Sequence, residues 1–127
     1  MSVSYFVFYK GEADDPAGFV ERYRKVHVPI LLRWPGVLRV NVHTPLAARD
    51  PKITNSGGLA LMAEIVFQDE VALTLALASE ERHQARLDFA DFPPFHGDVM
   101  HQPMLAEVFE PGSAALFSKY RESDSSS

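Results

Sequence analysis

The chain has 127 residues, of which 46% are hydrophobic and 23% charged, and its formal net charge is −5. These proportions are those of one globular domain and exclude a disordered chain. No apolar run approaches the roughly 18–20 residues that span a bilayer. The acidic balance is against a nucleic-acid partner, since phosphate binding needs a concentrated basic face.

Two further features bear on the cellular compartment. The sequence contains no cysteine, which excludes disulfides and thiolate metal sites and fits a reducing environment. Its N-terminus lacks a basic region followed by an apolar stretch, the pattern of a secretory signal. We therefore expect a cytoplasmic protein with no membrane and no nucleic-acid partner.

A first strand is predicted from Val3 to Lys10, and it is apolar on both faces. Because side chains alternate along a strand, they form two sets: Tyr5, Val7 and Tyr9 on one face, Phe6 and Phe8 on the other. A strand with one face in water would alternate between apolar and polar residues. We expect helices to cover one face and a second subunit to cover the other, with a small ligand held between them.

A first helix is predicted to begin at Asp15 and Pro16, a capping residue followed by proline in the first turn. It runs to about Arg33, before the Trp34-Pro35-Gly36 turn. Spacings of three and four predict an apolar stripe that consists of Phe19, Tyr23, Val26, Ile30 and Trp34. Pro29 lies inside this helix and predicts a kink or a tighter last turn near His27 and Val28.

The rest of the chain repeats the strand–helix–strand pattern. The predicted elements are a strand at Val37–Thr44, a loop at Pro45–Gly58, a strand at Leu59–Phe67, a helix from Asp69 to about Phe89 with a break at Ser79, and a strand at about Asp98–Phe109. Pro103 makes that last strand an edge strand or bulged. Residues 113–127 are expected to form a C-terminal extension, disordered from Glu122 onwards, after a domain at residues 1–112.

Two right-handed strand–helix–strand units in tandem predict an α+β fold: a ferredoxin-like βαββαβ domain with a four-stranded antiparallel sheet. Both helices then lie on one face of the sheet. The apolar central strands would expose a large hydrophobic patch on the other face, which soluble proteins rarely tolerate. Pairing two sheets face to face gives a homodimeric α/β barrel.

Two groups of motifs resemble a known family. The first comprises the helix Phe19–Leu31, with its His27-Val28-Pro29 segment, and the Trp34-Pro35-Gly36-Val37 turn. The second comprises Leu87–Phe92, Gly97-Asp98-Val99, Pro103 and Glu107-Val108. In this order they resemble the EthD family of the dimeric α/β-barrel superfamily. Ile30, where a leucine is more usual, and His96 depart from the family pattern.

The resemblance implies a βαββαβ fold, a homodimer and a cavity between sheet and helices. It does not imply one reaction, because the superfamily includes cofactor-free monooxygenases, polyketide cyclases, lactone isomerases and proteins of no established activity. A role in bacterial catabolism or secondary metabolism follows from the family, whose founding member is associated with ether degradation. The family pattern also places a histidine at the position of His27.

His27 is the leading candidate for catalysis, because it falls on or beside the apolar stripe and imidazole titrates near neutrality. Asp98 is the predicted partner that would orient it, provided that the last strand passes near the helix. Two structural readings stay open: His27 as a core histidine bound to a carbonyl freed by Pro29, and Asp98 as the cap of the turn after Gly97.

The predicted substrate-binding residues are Tyr5, Tyr23, Trp34, Arg39, Asn41, His43 and His96. Arg39, Asn41 and His43 form a polar row that would face the space between the sheets and bind a carbonyl or carboxylate. If the second strand is an edge strand, this row simply meets solvent or the partner subunit.

No cofactor and no metal are expected. His96 and His101 flank Asp98, but strand periodicity places His101 on the opposite face from the other two. A haem-binding protein would need an axial ligand such as His27, His43 or His101. The hypotheses are a cofactor-independent oxidoreductase or a cyclase or isomerase that holds an apolar, oxygenated or aromatic molecule, and, alternatively, a non-catalytic ligand-binding or accessory dimer of a degradation pathway.

Overall fold

The computed structural model describes residues 1–46 and 57–112. Its strands are β1 (Ser2–Ala13), β2 (Val37–His43), β3 (Leu59–Phe67) and β4 (Phe95–Ala106). They form one antiparallel sheet in the order β2-β3-β1-β4, which confirms the predicted ferredoxin-like fold. The predicted extension at residues 113–127 and most of the predicted loop lie outside the described residues.

The central strand β1 divides its side chains between the two faces as predicted. Tyr5, Val7 and Tyr9 are buried beneath the helices, whereas Phe6 and Phe8 lie half-buried on the open face with their rings stacked 5.8 Å apart. Residues paired across antiparallel strands point to the same face. The pairing of β1 with its two neighbours therefore assigns every residue of β3 and β4 to the helix-covered face or to the open face.

The first helical segment comprises α1 (Pro16–Arg22), a π-helical turn (Tyr23–His27) and α2 (Val28–Leu32). The N–H of Val28 donates to the carbonyl of Tyr23, five residues back. Pro29 has no N–H, and its ring would clash with a carbonyl four residues back in a regular helix. The irregularity falls where Pro29 predicted it, but the turn is wider than that of a regular helix, so the prediction of a tighter turn was wrong.

The wide turn moves the buried stripe by one residue. Val26 is 38% exposed, so the prediction that it belongs to the buried stripe was wrong, whereas Ile30 is half-buried and packs against the core. His27 is 5% exposed and Leu31 2%, and these two take the buried positions instead. The extra residue in a π-helical turn rotates everything after it, a device that often occurs at functional sites.

The second helical segment is divided, as predicted, into α3 (Glu70–Leu77) and α4 (Glu80–Asp88). Asp69 and Ser79 cap them, each side chain accepting a backbone N–H three residues on. A short 3-10 turn (Phe89–Asp91) follows α4 and leads into β4. Among the described residues, no helix has the length and apolarity needed to cross a membrane.

Candidate functional site

His27 and Asp88 form a buried pair beneath the helices. The π-helical turn brings His27 inward, and Asp88 is the last residue of α4. Nδ1 of His27 lies 3.0 Å from Oδ2 of Asp88, and the two side chains are 6% and 7% exposed. Because an ionised carboxylate only accepts hydrogen bonds, Nδ1 carries the hydrogen and Nε2 retains its lone pair.

Arg22 keeps the carboxylate of Asp88 ionised. Its Nη2 donates to Oδ1 of Asp88, so the two carboxylate oxygens accept from different side chains. Burial alone would raise the pKa of Asp88, but the hydrogen bonds and charges of Arg22 and His27 outweigh it and hold that pKa below its ordinary value. Asp88 therefore stays negative at neutral pH.

His27 is neutral at the same pH. Burial lowers its pKa, and the hydrogen bond and charge of Asp88 oppose this only in part, while Arg22 lowers it further. The rings of Tyr23 and Phe92 contact the imidazole, with centroids 4.8 and 5.3 Å away, and exclude water from it. The result is a neutral imidazole with one hydrogen-bonded nitrogen and one free nitrogen.

His27 lies in the wall of an apolar cavity between the helices and the sheet, with a volume of about 170 Å³. Its deep part is formed by buried side chains: Tyr9, Tyr23, His27, Leu31, Trp34 and Ile65. The lining residues Arg86, Val99 and His101 are exposed. The cavity therefore opens between α4 and β4 and has His27 in its buried part.

The phenols in the deep part of the cavity stay protonated. Burial raises the pKa of Tyr9 to about 12, although the side chain of Tyr23 lowers it to a smaller extent. Burial also raises the pKa of Tyr23 well above its ordinary value. Among the described residues, the indole N–H of Trp34 has no hydrogen-bond acceptor. The hydroxyl of Tyr23 also has no partner within hydrogen-bond distance among these residues, so this part of the cavity offers neutral groups with two unpaired donors.

Predicted substrate-binding residues on the helix side of the sheet come together at this cavity. Tyr23 and Trp34 line it. Tyr5 lies beside it, because its ring is 6.2 Å from that of Trp34 and its hydroxyl is 2.9 Å from Nδ1 of the lining residue His101.

The predicted pairing of His27 with Asp98 is not formed. Asp98 lies in β4 directly opposite Lys10, and its register places it on the open face. The sheet therefore separates Asp98 from His27, which is beneath the helices, and the carboxylate that binds His27 is Asp88. Asp98 lies within the strand, so it does not cap a turn either.

The polar row of β2 also lies on the open face. Arg39, Asn41 and His43 pair with β3 residues of that face, and β2 is an edge strand of the sheet. Asn41 donates to Glu64 at 3.1 Å, and Nε2 of His43 is 3.7 Å from the same carboxylate. This row is separated from the cavity, so it does not contact a ligand bound near His27.

His96 is remote from the cavity as well. Its Nε2 lies 2.7 Å from Oδ1 of Asp14, in an exposed contact at one end of the sheet. Within residues 1–46 and 57–112, no three His, Asp or Glu side chains converge as a metal ion would require.

Three residues of the site were missed at the level of sequence: Asp88, Arg82 and Arg86. Asp88 lies in the mainly apolar run Leu87–Phe92, which also contains Asp91, and a carboxylate in such a run is a usable signal. Arg82 and Arg86 are four residues apart on α4 and therefore share a helix face. Nothing in the sequence indicated that this face of α4 lies at the cavity.

Comparison of the sequence with family models and with curated proteins gives no match. Among solved structures, an EthD family protein from Bacillus halodurans has a TM-score of 0.68 at 19% identity, covering 84% of this chain and 100% of that one. The chain therefore shares the ferredoxin-like fold of that EthD family protein.

Other solved structures that share this fold have different activities. SnoaB, a cofactor-independent oxygenase from Streptomyces nogalater, has a TM-score of 0.58 at 19% identity and covers 87% of this chain and 97% of its own. A hydroxynitrile lyase from Passiflora edulis has a TM-score of 0.62 at 13% identity, with coverages of 86% and 97%. These likenesses establish the fold, and the fold hosts more than one reaction.

Proposed function

We propose that this protein binds an apolar, oxygenated or aromatic small molecule in the cavity and that His27 removes a proton from it without a cofactor. The observation that supports this most directly is the buried His27–Asp88 pair in the cavity wall. A neutral imidazole with a free nitrogen in an apolar cavity is suited to general base catalysis. The absence of cysteine fits a cytoplasmic site of action.

The geometry gives each group one task. Nε2 of His27 accepts the proton of the substrate, and the carboxylate of Asp88 stabilises the imidazolium that forms. Arg22 holds Asp88 ionised. The hydrogen bond from Nδ1 of His27 to Asp88 also fixes the orientation of the imidazole ring. A positioned base of this kind contributes roughly 10²- to 10⁴-fold to a rate.

The size of the cavity limits the ligand. A dry cavity of around 150 Å³ accommodates a benzene ring, and this one measures about 170 Å³. Its buried walls are aromatic and aliphatic, so a one- or two-ring molecule with a weakly acidic C–H or O–H group fits best.

We also propose that the protein is a homodimer that closes over the open face. That face carries the stacked Phe6 and Phe8 together with Met62, Met100 and Met104; of these, Met100 is 44% and Met104 51% exposed. Exposed apolar side chains grouped on one face of a sheet commonly mark a contact with another protein chain. The helices lie on the other face of the sheet, so they do not cover this one. The same face of a second copy would cover it.

Hydrogen–deuterium exchange of a small carbon acid tests the proton transfer. The probe is 2-indanone in D₂O, whose α-hydrogens are followed by proton NMR with and without protein. The wild-type protein should accelerate exchange above the buffer rate, and His27→Gln should remove about 10²-fold or more of that acceleration. Asp88→Asn should lower the rate less, because the imidazole is still present.

His83→Gln is the matched control, since His83 is an exposed residue of α4 outside the cavity. Its exchange rate should equal that of the wild type. If 2-indanone binds to the wild-type protein without any acceleration, the alternative of a non-catalytic binding or accessory dimer holds, with His27 structural.

A further inference from the structure

The mouth of the cavity contains a second polar group, formed by Arg82, Arg86 and His101. It does not include His27 or Asp88, and the proton transfer proposed above does not use it. Two other cations are paired, Arg22 with Asp88 and Lys25 with Glu21, whereas Lys10, Arg24, Arg33 and Arg39 lie outside the cavity lining. Within the described part of the chain, neither Arg82 nor Arg86 has a carboxylate within 4.0 Å.

Hydrogen bonds fix part of this group. Arg82 donates to the carbonyl of Leu77 at 3.2 Å and to the hydroxyl of Tyr5 at 3.3 Å. That hydroxyl is 2.9 Å from Nδ1 of His101. Arginine cannot accept a hydrogen bond, so Arg82 donates to the hydroxyl oxygen of Tyr5. The hydroxyl of Tyr5 in turn donates to Nδ1 of His101. This leaves Nε2–H of His101 as a donor.

The mouth therefore presents donors and positive charge but no acidic group. Burial lowers the pKa of His101, and the charges of Arg82 and Arg86 lower it further. His101 is thus a neutral donor beside two cations. Deeper in the cavity, the indole N–H of Trp34 also has no acceptor among the described residues.

Two guanidinium groups that lack a carboxylate, at the mouth of an apolar cavity, are suited to bind an anion, because charge-assisted hydrogen bonds are about twice as strong as neutral ones. The net charge of the whole chain is −5, so this positive group does not reflect a generally basic surface. We propose that Arg82, Arg86 and His101 bind the carboxylate of an aromatic monocarboxylic acid, whose ring occupies the apolar part near His27. This inference rests on the proposed function, since both concern one cavity.

A comparison of two ligands of equal shape tests it. Benzoate and benzamide differ in charge but not in size, and their binding is measured by titration calorimetry at pH 7 and low salt. Benzoate should bind about 10-fold more tightly than benzamide to the wild-type protein. Arg86→Met should weaken the binding of benzoate more than that of benzamide and so remove most of this preference. Arg86→Lys should retain part of it.

Arg24→Met is the matched control, because it removes the same charge from an exposed site on the π-helical turn, outside the cavity. Its preference for benzoate should be that of the wild type. A second measurement needs no variant: bound benzoate should raise the pKa of His101 by offsetting the charges of Arg82 and Arg86, as followed by histidine NMR. The hydroxyl of Tyr5 is the other titratable group in contact with His101.

The outcomes separate this inference from the proposed function. Equal binding of benzoate and benzamide, with an unchanged pKa of His101, overturns the carboxylate site but leaves the cavity and its base in place. Failure of both ligands to bind overturns the proposed function, and the carboxylate site with it. Loss of the preference in Arg24→Met would show that long-range charge alone accounts for it.

Discussion

The two faces of the sheet are built from the same four strands but differ in what completes them. On the helix-covered face, Tyr5, Val7 and Tyr9 are buried within one chain, and His27 and Asp88 are enclosed with them. On the open face, Phe6 and Phe8 are only half-buried. The difference fits the division of roles that we propose: the covered face folds the chain and would hold the ligand, and the open face would be the contact between two chains.

The open face also has a polar centre that is satisfied without a partner. Glu64 accepts hydrogen bonds from Ser4 at 2.8 Å and from Asn41 at 3.1 Å. Burial would raise the pKa of Glu64, but these bonds, together with His43, hold it below its ordinary value. A carboxylate with its own donors can be covered at a smaller cost than a bare one.

The largest expected effect is a loss of packing on the covered face. Phe19 is 1% exposed and contacts the rings of Tyr9 and Phe92. Phe19→Ala should lower the free energy of unfolding by about 3–5 kcal/mol, from lost burial and the cavity left behind. Urea denaturation measures it. Val71→Ala, on an exposed side chain of α3, should stay within about 0.5 kcal/mol of the wild type; equal losses would contradict the assigned core.

Removal of the buried carboxylate should have the next largest effect. Asp88→Ala leaves Arg22 without its partner and Nδ1 of His27 without an acceptor, which should lower the free energy of unfolding by about 2–4 kcal/mol. The matched control is Asp91→Ala, because Asp91 is exposed and its carboxylate makes only a long contact with Arg22, at 3.8 Å. An Asp88→Ala protein as stable as this control would show that the pair does not hold α4 to the π-helical turn.

A charge on the open face should change assembly and spare the fold. Phe8→Asp places a carboxylate at the centre of the proposed dimer contact. Light scattering after gel filtration should show a dimer for the wild type and a monomer for the variant. The monomer should keep its circular dichroism spectrum, because Phe8 lies outside the helix-covered core. A wild-type monomer would contradict the assignment of this face to assembly.

The smallest effect concerns pH. The pKa of His27 is lower in the folded chain than its ordinary value of 6.5, so below this pH the unfolded chain binds a proton that the folded chain does not. Stability should therefore be full above about pH 6.5 and fall as the pH drops towards the folded pKa. His101, whose pKa is also lowered, adds a change of the same sign.

His27→Gln should flatten this dependence in part, and His101→Gln should flatten the remainder. The measurement is the free energy of unfolding in urea over a pH series from about 5 to 8. A wild-type protein that gains stability as the pH falls through this range would reverse the sign and contradict the burial of a neutral His27.

The sequence was sufficient for the parts of the fold that depend on local patterns. The alternation of side chains in β1 predicted which residues lie on each face of the sheet, and Ser79 predicted the break between α3 and α4. The exact stripe of the first helix could not be predicted, because a π-helical turn shifts the register by one residue and His27 and Leu31 take the buried positions.

Of the buried pair at the site, only the histidine could be predicted, for a similar reason. His27 was found because imidazole on an apolar stripe is unusual, whereas its carboxylate comes from an element 61 positions away. Choosing between Asp88 and Asp98 requires the register of β4 against β1, which places Asp98 opposite Lys10. That register depends on tertiary pairing and has no local signal in the chain.

Nitrogen-15 NMR of labelled histidine tests the central claim most directly, because it reports the tautomer and charge of His27. We expect Nδ1 protonated and Nε2 unprotonated at pH 7, a pKa below 6.5, and a change at Nε2 when 2-indanone is added. An imidazolium at pH 7, or the tautomer with hydrogen on Nε2, would contradict the assignment of His27 as the base.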